Sequence, residues 1–204
     1  VAEKRTLLVD MDPQANSCSG VGIDKEKSEY TIYHALLGEA EASEIIQQTR
    51  IPNLHILPAN TDLIGAEIEL VSAFAREIKL KAVLDSVRAD YDYILIDCPP
   101  SLGLLTVNSL TAADAVLIPL QCEFYAMEGM SQLMKTIRLI QRDLNPELKL
   151  FGILLTMFDS RNNLSHQVAE EIRSHFDGRV FKAVVPRNVR LSEAPSHGLP
   201  VLMY

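Results

Sequence analysis

Only three cysteines, Cys18, Cys98 and Cys122, occur in 204 residues. Their odd number and wide spacing argue against a disulfide framework and against CxxC metal chemistry, and favour a reducing cytoplasm. No apolar run approaches the roughly 20 residues that cross a bilayer, so no membrane span is expected. No charged-then-apolar leader opens the chain. Repeats, low-complexity tracts and linkers are missing too, which reads as one domain over 1–204. The rest is ordinary for a globular protein: 48% hydrophobic residues and 23% charged. A chain of this length buries about 70% of its unfolded surface.

The termini are unusual. "VAEKR" reads as the last turn of a helix feeding a strand, and "LPVLMY" is an apolar run with nothing after it. Both suggest an internal piece of a longer protein.

Apolar runs of four to seven residues recur along the chain, and strands are expected at Thr6–Asp10, Leu54–Leu57, Tyr93–Asp97, Ala115–Pro119, Leu150–Thr156 and Val180–Val185. Most lack polar alternation, as parallel strands covered on both faces do. Between them, residues 62–87 and 126–144 carry apolar positions at three- and four-residue spacing, the pattern of amphipathic helices. The second should stop before Asn145-Pro146. Strands alternating with helices predict an α/β fold with a doubly wound, mostly parallel sheet and helices on both faces.

In such sheets, ligands bind outside the carboxyl ends of the strands. Asp10 and Asp12 end the first run, in "TLLVDMDPQANSC". If the strand continued to Asp12, alternation would put both carboxylates on one side, where they repel unless a cation lies beside them. Asp97 ends "YILIDCPPSLG". Four apolar residues and an Asp form a Walker B pattern, although a strand-end Asp also serves as a turn or cap residue.

Four stretches together are more specific: "LLVDMDPQANSCSGVGI", "IGAEIEL", "DYILIDCPPSLGLLTVNSLTAADAVLIPLQCEFYAMEG" and "PRNVRLSEAPSHGLPV". Through them nearly the whole chain resembles the ParA/Soj family of chromosome- and plasmid-partitioning ATPases. The resemblance implies a deviant-Walker P-loop fold, here incomplete at both ends, and slow hydrolysis of ATP with Mg²⁺. It also implies an ATP-dependent homodimer that binds DNA without sequence preference, and a cytoplasmic, nucleoid-associated location. A ParB/Spo0J-like centromere-binding partner would stimulate hydrolysis.

By position in the family motifs, Asp12 is the catalytic carboxylate that orients or activates the attacking water. Asp97 binds Mg²⁺ through water, and Asp10 lies near the metal. Pro186 and Asn188 would pack on and hydrogen-bond the adenine, the alternatives being a turn and a cap. Arg161 and Arg190 match positions that meet DNA phosphates, the alternatives being a surface ion pair or a loop hydrogen bond. The family's phosphate loop, Gly-x-x-x-x-Gly-Lys-[Ser/Thr], occurs nowhere in the 204 residues. Residues 1–5 would fit the tail of the helix that follows it.

Charge is uneven. Residues 151–204 hold six Lys/Arg against five Asp/Glu, while the remainder holds 13 against 22. A dimer would pair two such relatively basic patches.

Three rival readings stand beside this one. A MinD-like ATPase would bind membrane through a basic amphipathic tail, and none is visible. An iron–sulfur relative needs paired thiolates, whereas Cys98 and Cys122 read as buried small apolar residues. An inactive fragment without the phosphate loop is the third.

Overall fold

The computed structural model describes residues 3–204. The helix tail expected over 1–5 begins outside the described residues, and residues 3–5 lead into the first strand without helical structure. Contacts group the chain into two compact units, Val1–Ala112 with Ser192–Tyr204, and Ala113–Leu191.

The first unit is built on β1 (Thr6–Asp10), β2 (Gln47–Gln48), β3 (Leu54–Leu57) and β4 (Tyr93–Asp97), in the order β2-β3-β1-β4. β1 runs parallel to both β3 and β4, with Val9 opposite Leu57 and Asp10 opposite Asp97; only β2 is antiparallel. The two-sided apolar run of β1 makes it central. Leu7 and Val9 are fully buried, and they pack in one core with Met11, Ile56, Leu57 and Leu105. β4 ends the strand order, and its Tyr93 and Leu95, two apart and so on one face, are exposed. Its apolar run therefore does not mark a strand covered on both sides.

The helices of this unit are α1 (Asn16–Gly20), α2 (Ile32–Leu37), α3 (Ala42–Ile45), α4 (Leu63–Glu69), α5 (Lys79–Asp85) and α6 (Leu104–Ala112). The helical pattern over 62–87 does not form one helix. It breaks between α4 and α5, where Ala73 is extended and Ala75 adopts a left-handed φ of 54°. The cause lies elsewhere in the chain: the buried side chain of Asn108 accepts from the Leu80 N–H at 3.1 Å and donates to the Arg76 carbonyl at 2.8 Å. Those bonds start α5 afresh.

The second unit holds β5 (Ala115–Gln121), β6 (Lys149–Phe158) and β7 (Val180–Pro186), all parallel, in the order β5-β6-β7. Each strand runs past its expected end. Helix α7 (Ala126–Asp143) buries Met130, Ile137 and Ile140, and α8 (Asn163–His175) buries Val168, Ala169 and Ile172. Helix α7 stops just before Asn145-Pro146, as expected; the Asn145 N–H folds back to the Ile140 carbonyl at 2.7 Å. Helix α9 (Val189–Glu193) follows β7. The α/β class with mostly parallel strands is the one the apolar runs predict.

One close approach fixes the end of α1. Gly22 (φ 80°) and Gly198 (φ 63°) stack backbone on backbone; a Cβ on Gly198 would lie 2.7 Å from the Gly22 Cα. Replacing Gly198 with Ala combines a left-handed strain with overpacking against main chain, which cannot swing away. Gly198→Ala should lower stability by ~2 kcal/mol, read as a lower urea midpoint at unchanged slope. An unchanged midpoint would show that the contact is looser than this.

Candidate functional site

The carboxyl ends of β1 and β4 lie side by side, and the Met11 N–H donates to the Asp97 carbonyl at 2.8 Å. Strand β1 ends at Asp10, and Pro13 follows in a turn. Asp12 therefore lies beyond the strand, and its direction is set by that turn rather than by strand alternation. Its Oδ1 accepts from the Gln14 N–H at 2.9 Å, and its carbonyl accepts from Ala15 at 2.8 Å. Lys25 Nζ donates to the Gln14 carbonyl at 2.9 Å and ties the turn from outside. Ala15, fully buried, has a left-handed φ of 53°, a conformation that costs an L-residue about 1–2 kcal/mol.

Asp10 is fully buried. Its Oδ1 accepts from the Asp12 N–H at 3.2 Å and its Oδ2 from the Cys18 N–H at 3.0 Å. Burial raises its pKa above the usual 3.8; the two backbone bonds oppose that shift, and the Asp97 charge adds to it. The family pattern puts Asp10 near the metal, behind the residues that would meet it. With no exposed surface, it reaches a cation only through the groups it holds in place.

Asp97 is half-buried, and its Oδ2 accepts from the Ser17 hydroxyl at 2.5 Å. Its other oxygen has no partner among the described residues. Ser17 and Lys25 escaped the sequence reading. The available signal for Ser17 was a hydroxyl residue in the first helical turn after "DMDPQ". Cys18 is a packing residue: burial and the nearby Asp10 push its thiol up to about 12, so it stays neutral. Cys122 is buried as expected, but Cys98 is exposed, because it lies in the turn past the end of β4.

A divalent cation fits this rim only in part. No group of three or more His, Cys, Asp or Glu side chains forms a metal cluster among the described residues. One free carboxylate face with a hydroxyl beside it suits Mg²⁺, which is hard and keeps waters and phosphate oxygens as its other ligands.

The remaining candidates belong to the second unit. Pro186 ends β7 opposite Phe158. Asn188 is exposed, and its Oδ1 accepts from the Arg190 N–H at 2.9 Å, while its amide donors have no partner among the described residues. Arg161 grips Asp159 through two bonds of 3.0 and 2.9 Å, which hold the Asp159 carboxyl down at about 2. Arg190 forms no ion pair among the described residues.

The raised Asp10 pKa has a measurable consequence. The folded chain holds that proton more tightly than the unfolded one, so Asp10 contributes its full stability below pH 3.8 and loses it as pH rises through the raised folded value. Across that window the parent's Tm should decline relative to that of Asp10→Asn; parallel curves would contradict the assignment.

Residues 1–150 match the AAA_31 family, described as an AAA domain. The sporulation initiation inhibitor protein Soj of Bacillus subtilis is 56% identical over 201 residues, covering 98% of this chain and 79% of that protein. The chromosome partitioning protein ParA of Myxococcus xanthus is 58% identical over 203 residues, covering 100% and 72%. Among solved structures, cobyrinic acid a,c-diamide synthase from Mycobacterium smegmatis with bound ADP and magnesium superposes with a TM-score of 0.85 at 39% identity, covering 96% of this chain and 78% of that one. An ATP complex of a Cyanothece McdA variant has a TM-score of 0.90 at 18% identity, covering 99% and 79%; at that identity the likeness is one of fold.

Proposed function

The chain belongs to the ParA/Soj family of chromosome-partitioning ATPases, and from that membership we propose that it forms the acidic half of a Mg·ATP site driving a DNA-binding partition switch. The observation that supports this reading is the shared rim of β1 and β4, where the buried Asp10 stands in register with Asp97 and accepts from the Asp12 N–H, and Ser17 donates to Asp97.

In this proposal, Asp97 and Ser17 would hold Mg²⁺ through water. The ion they hold would supply positive charge against the nucleotide's phosphates. Asp12 orients the attacking water, its carboxylate fixed by the Gln14 N–H while the second oxygen stays free. Asp10 acts one step back, holding the Asp12 turn and the start of α1. Pro186 packs on the adenine, and the amide of Asn188 donates to it. The phosphate cradle is not among the 204 residues, and the relatives are longer than this chain; in our reading a loop preceding Val1 supplies it.

ATP binding would join two copies. Each dimer then presents two Arg190 guanidinium groups to DNA phosphates, a contact without sequence preference that weakens with salt. Of the two arginines, Arg190 is the better candidate, because Arg161 is already committed to Asp159. A ParB-like partner would stimulate hydrolysis and release the dimer from the nucleoid.

Three measurements test the proposal. In the full-length protein, Asp12→Ala should retain Mg·ATP binding and lose turnover by about a hundredfold or more; parental rates would remove Asp12 from its role. Arg190→Glu should abolish retention on non-specific duplex DNA while hydrolysis stays near parental, and Arg161→Ala should change retention little. Loss of DNA binding and hydrolysis together would assign Arg190 to the fold or the nucleotide site. Calorimetry of the 204-residue chain with Mg·ATP should show no micromolar binding, and binding at that level would mean that the missing loop is dispensable.

A further inference from the structure

We propose that Glu67 is a positioning residue for the turn that follows Asp97. Glu67 lies on α4, and its Oε1 is buried without a hydrogen-bond partner; it is the one such side-chain atom among the described residues. The carboxylate presses on Gly103, the residue just before α6. A Cβ on Gly103 would collide with Oε1 and lie 3.3 Å from Cδ. Gly103 is thus the residue whose missing side chain makes room for Glu67.

Glu67 is half-buried, and leaving one of its carboxylate oxygens sealed from water without a donor is costly; the charge is kept where the field favours it. The first N–H groups of α6 have no intrahelical partners, and the positive end of the helix dipole stabilises a negative charge there. Two further bonds fix the same element. The Thr106 hydroxyl donates to the Ser101 carbonyl at 2.6 Å, pinning the turn from within. One turn further along α6, Asn108 grips Leu80 and Arg76. Glu67 adds the hold at the helix start, a few residues past the end of β4. It acts on the site by fixing the backbone path out of Asp97, and its importance for Mg²⁺ rests on the function proposed above.

The test is a double-mutant cycle over Glu67→Ala, Gly103→Ala and the pair, with Glu67→Gln as the conservative variant. The first readout is amide hydrogen exchange of the 204-residue chain without nucleotide. Glu67→Ala should speed exchange at residues 101–106 by about tenfold and leave the β1 amides unchanged, with Glu67→Gln in between. Gly103→Ala displaces the same carboxylate, so it should reproduce the effect, and the double variant should be no worse than either single. The second readout, in the full-length protein, is Mg²⁺ dependence of hydrolysis: half-saturating Mg²⁺ should rise several-fold in the same variants. Exchange that quickens uniformly across the chain, or a double variant whose effects add, would overturn the positioning role. Localised exchange with an unchanged Mg²⁺ requirement would also overturn it as a device serving Asp97. A parent that neither binds nor hydrolyses Mg·ATP would defeat the proposed function instead, and the exchange cycle would still judge the contact between Glu67 and Gly103.

Discussion

A carboxylate sealed at the end of a central parallel strand must find donors nearby, and Asp10 finds them in its own main chain. One oxygen takes the N–H of Asp12, the other that of Cys18. These two bonds bend the chain from β1 into α1 across Pro13, a path that also requires the left-handed Ala15. With α1 placed, Ser17 meets Asp97 across 80 residues of sequence. The bonds offset only part of the burial cost, since the Asp10 pKa remains raised. The strain at Ala15 and the unfavourable charge at Asp10 are local losses, carried by a core in which Leu7, Val9, Met11, Ile56 and Leu57 are wholly buried.

Strand positions were legible in the sequence because a short apolar run bounded by polar residues is a local pattern. β1, β3 and β4 begin and end where their apolar runs do. The interrupted helix over 62–87 was not legible, since its period is helical throughout and the residue that breaks it, Asn108, stands on another helix. The site divides in the same way. Acidic residues at strand ends announced the rim, but spacing alone could not tell which of Asp10 and Asp12 would be buried. That depends on where β1 stops and how the turn redirects the chain. The Ser17–Asp97 bond is tertiary and leaves only a faint local signature.

The two arginines that the family pattern put on equal terms are separated by their neighbours. The chain around Arg161 has Asp159 two residues before it, close enough for a two-bond local ring that answers the guanidinium charge. Around Arg190, the residue two before it is Asn188, a neutral side chain that caps the main chain, and Arg190 has no ion-pair partner among the described residues. A short-range difference in side-chain type thus decides how much electrostatic pull each cation retains for an outside anion.

The same logic applies to the acidic rim. Among the described residues, neither Asp12 nor Asp97 is paired with a cation; the one lysine tied to the turn, Lys25, spends its ammonium on the Gln14 carbonyl. Two uncompensated carboxylates beside a third that is buried repel any bare polyanion. A triphosphate alone would meet that repulsion, whereas one already carrying Mg²⁺ brings the missing positive charge with it. If the rim is the nucleotide site proposed above, it would thereby favour the metal complex over the free nucleotide. Filling it with a lysine would ease the local electrostatics and remove that discrimination, which gives a physical reason for leaving these charges unanswered within the chain.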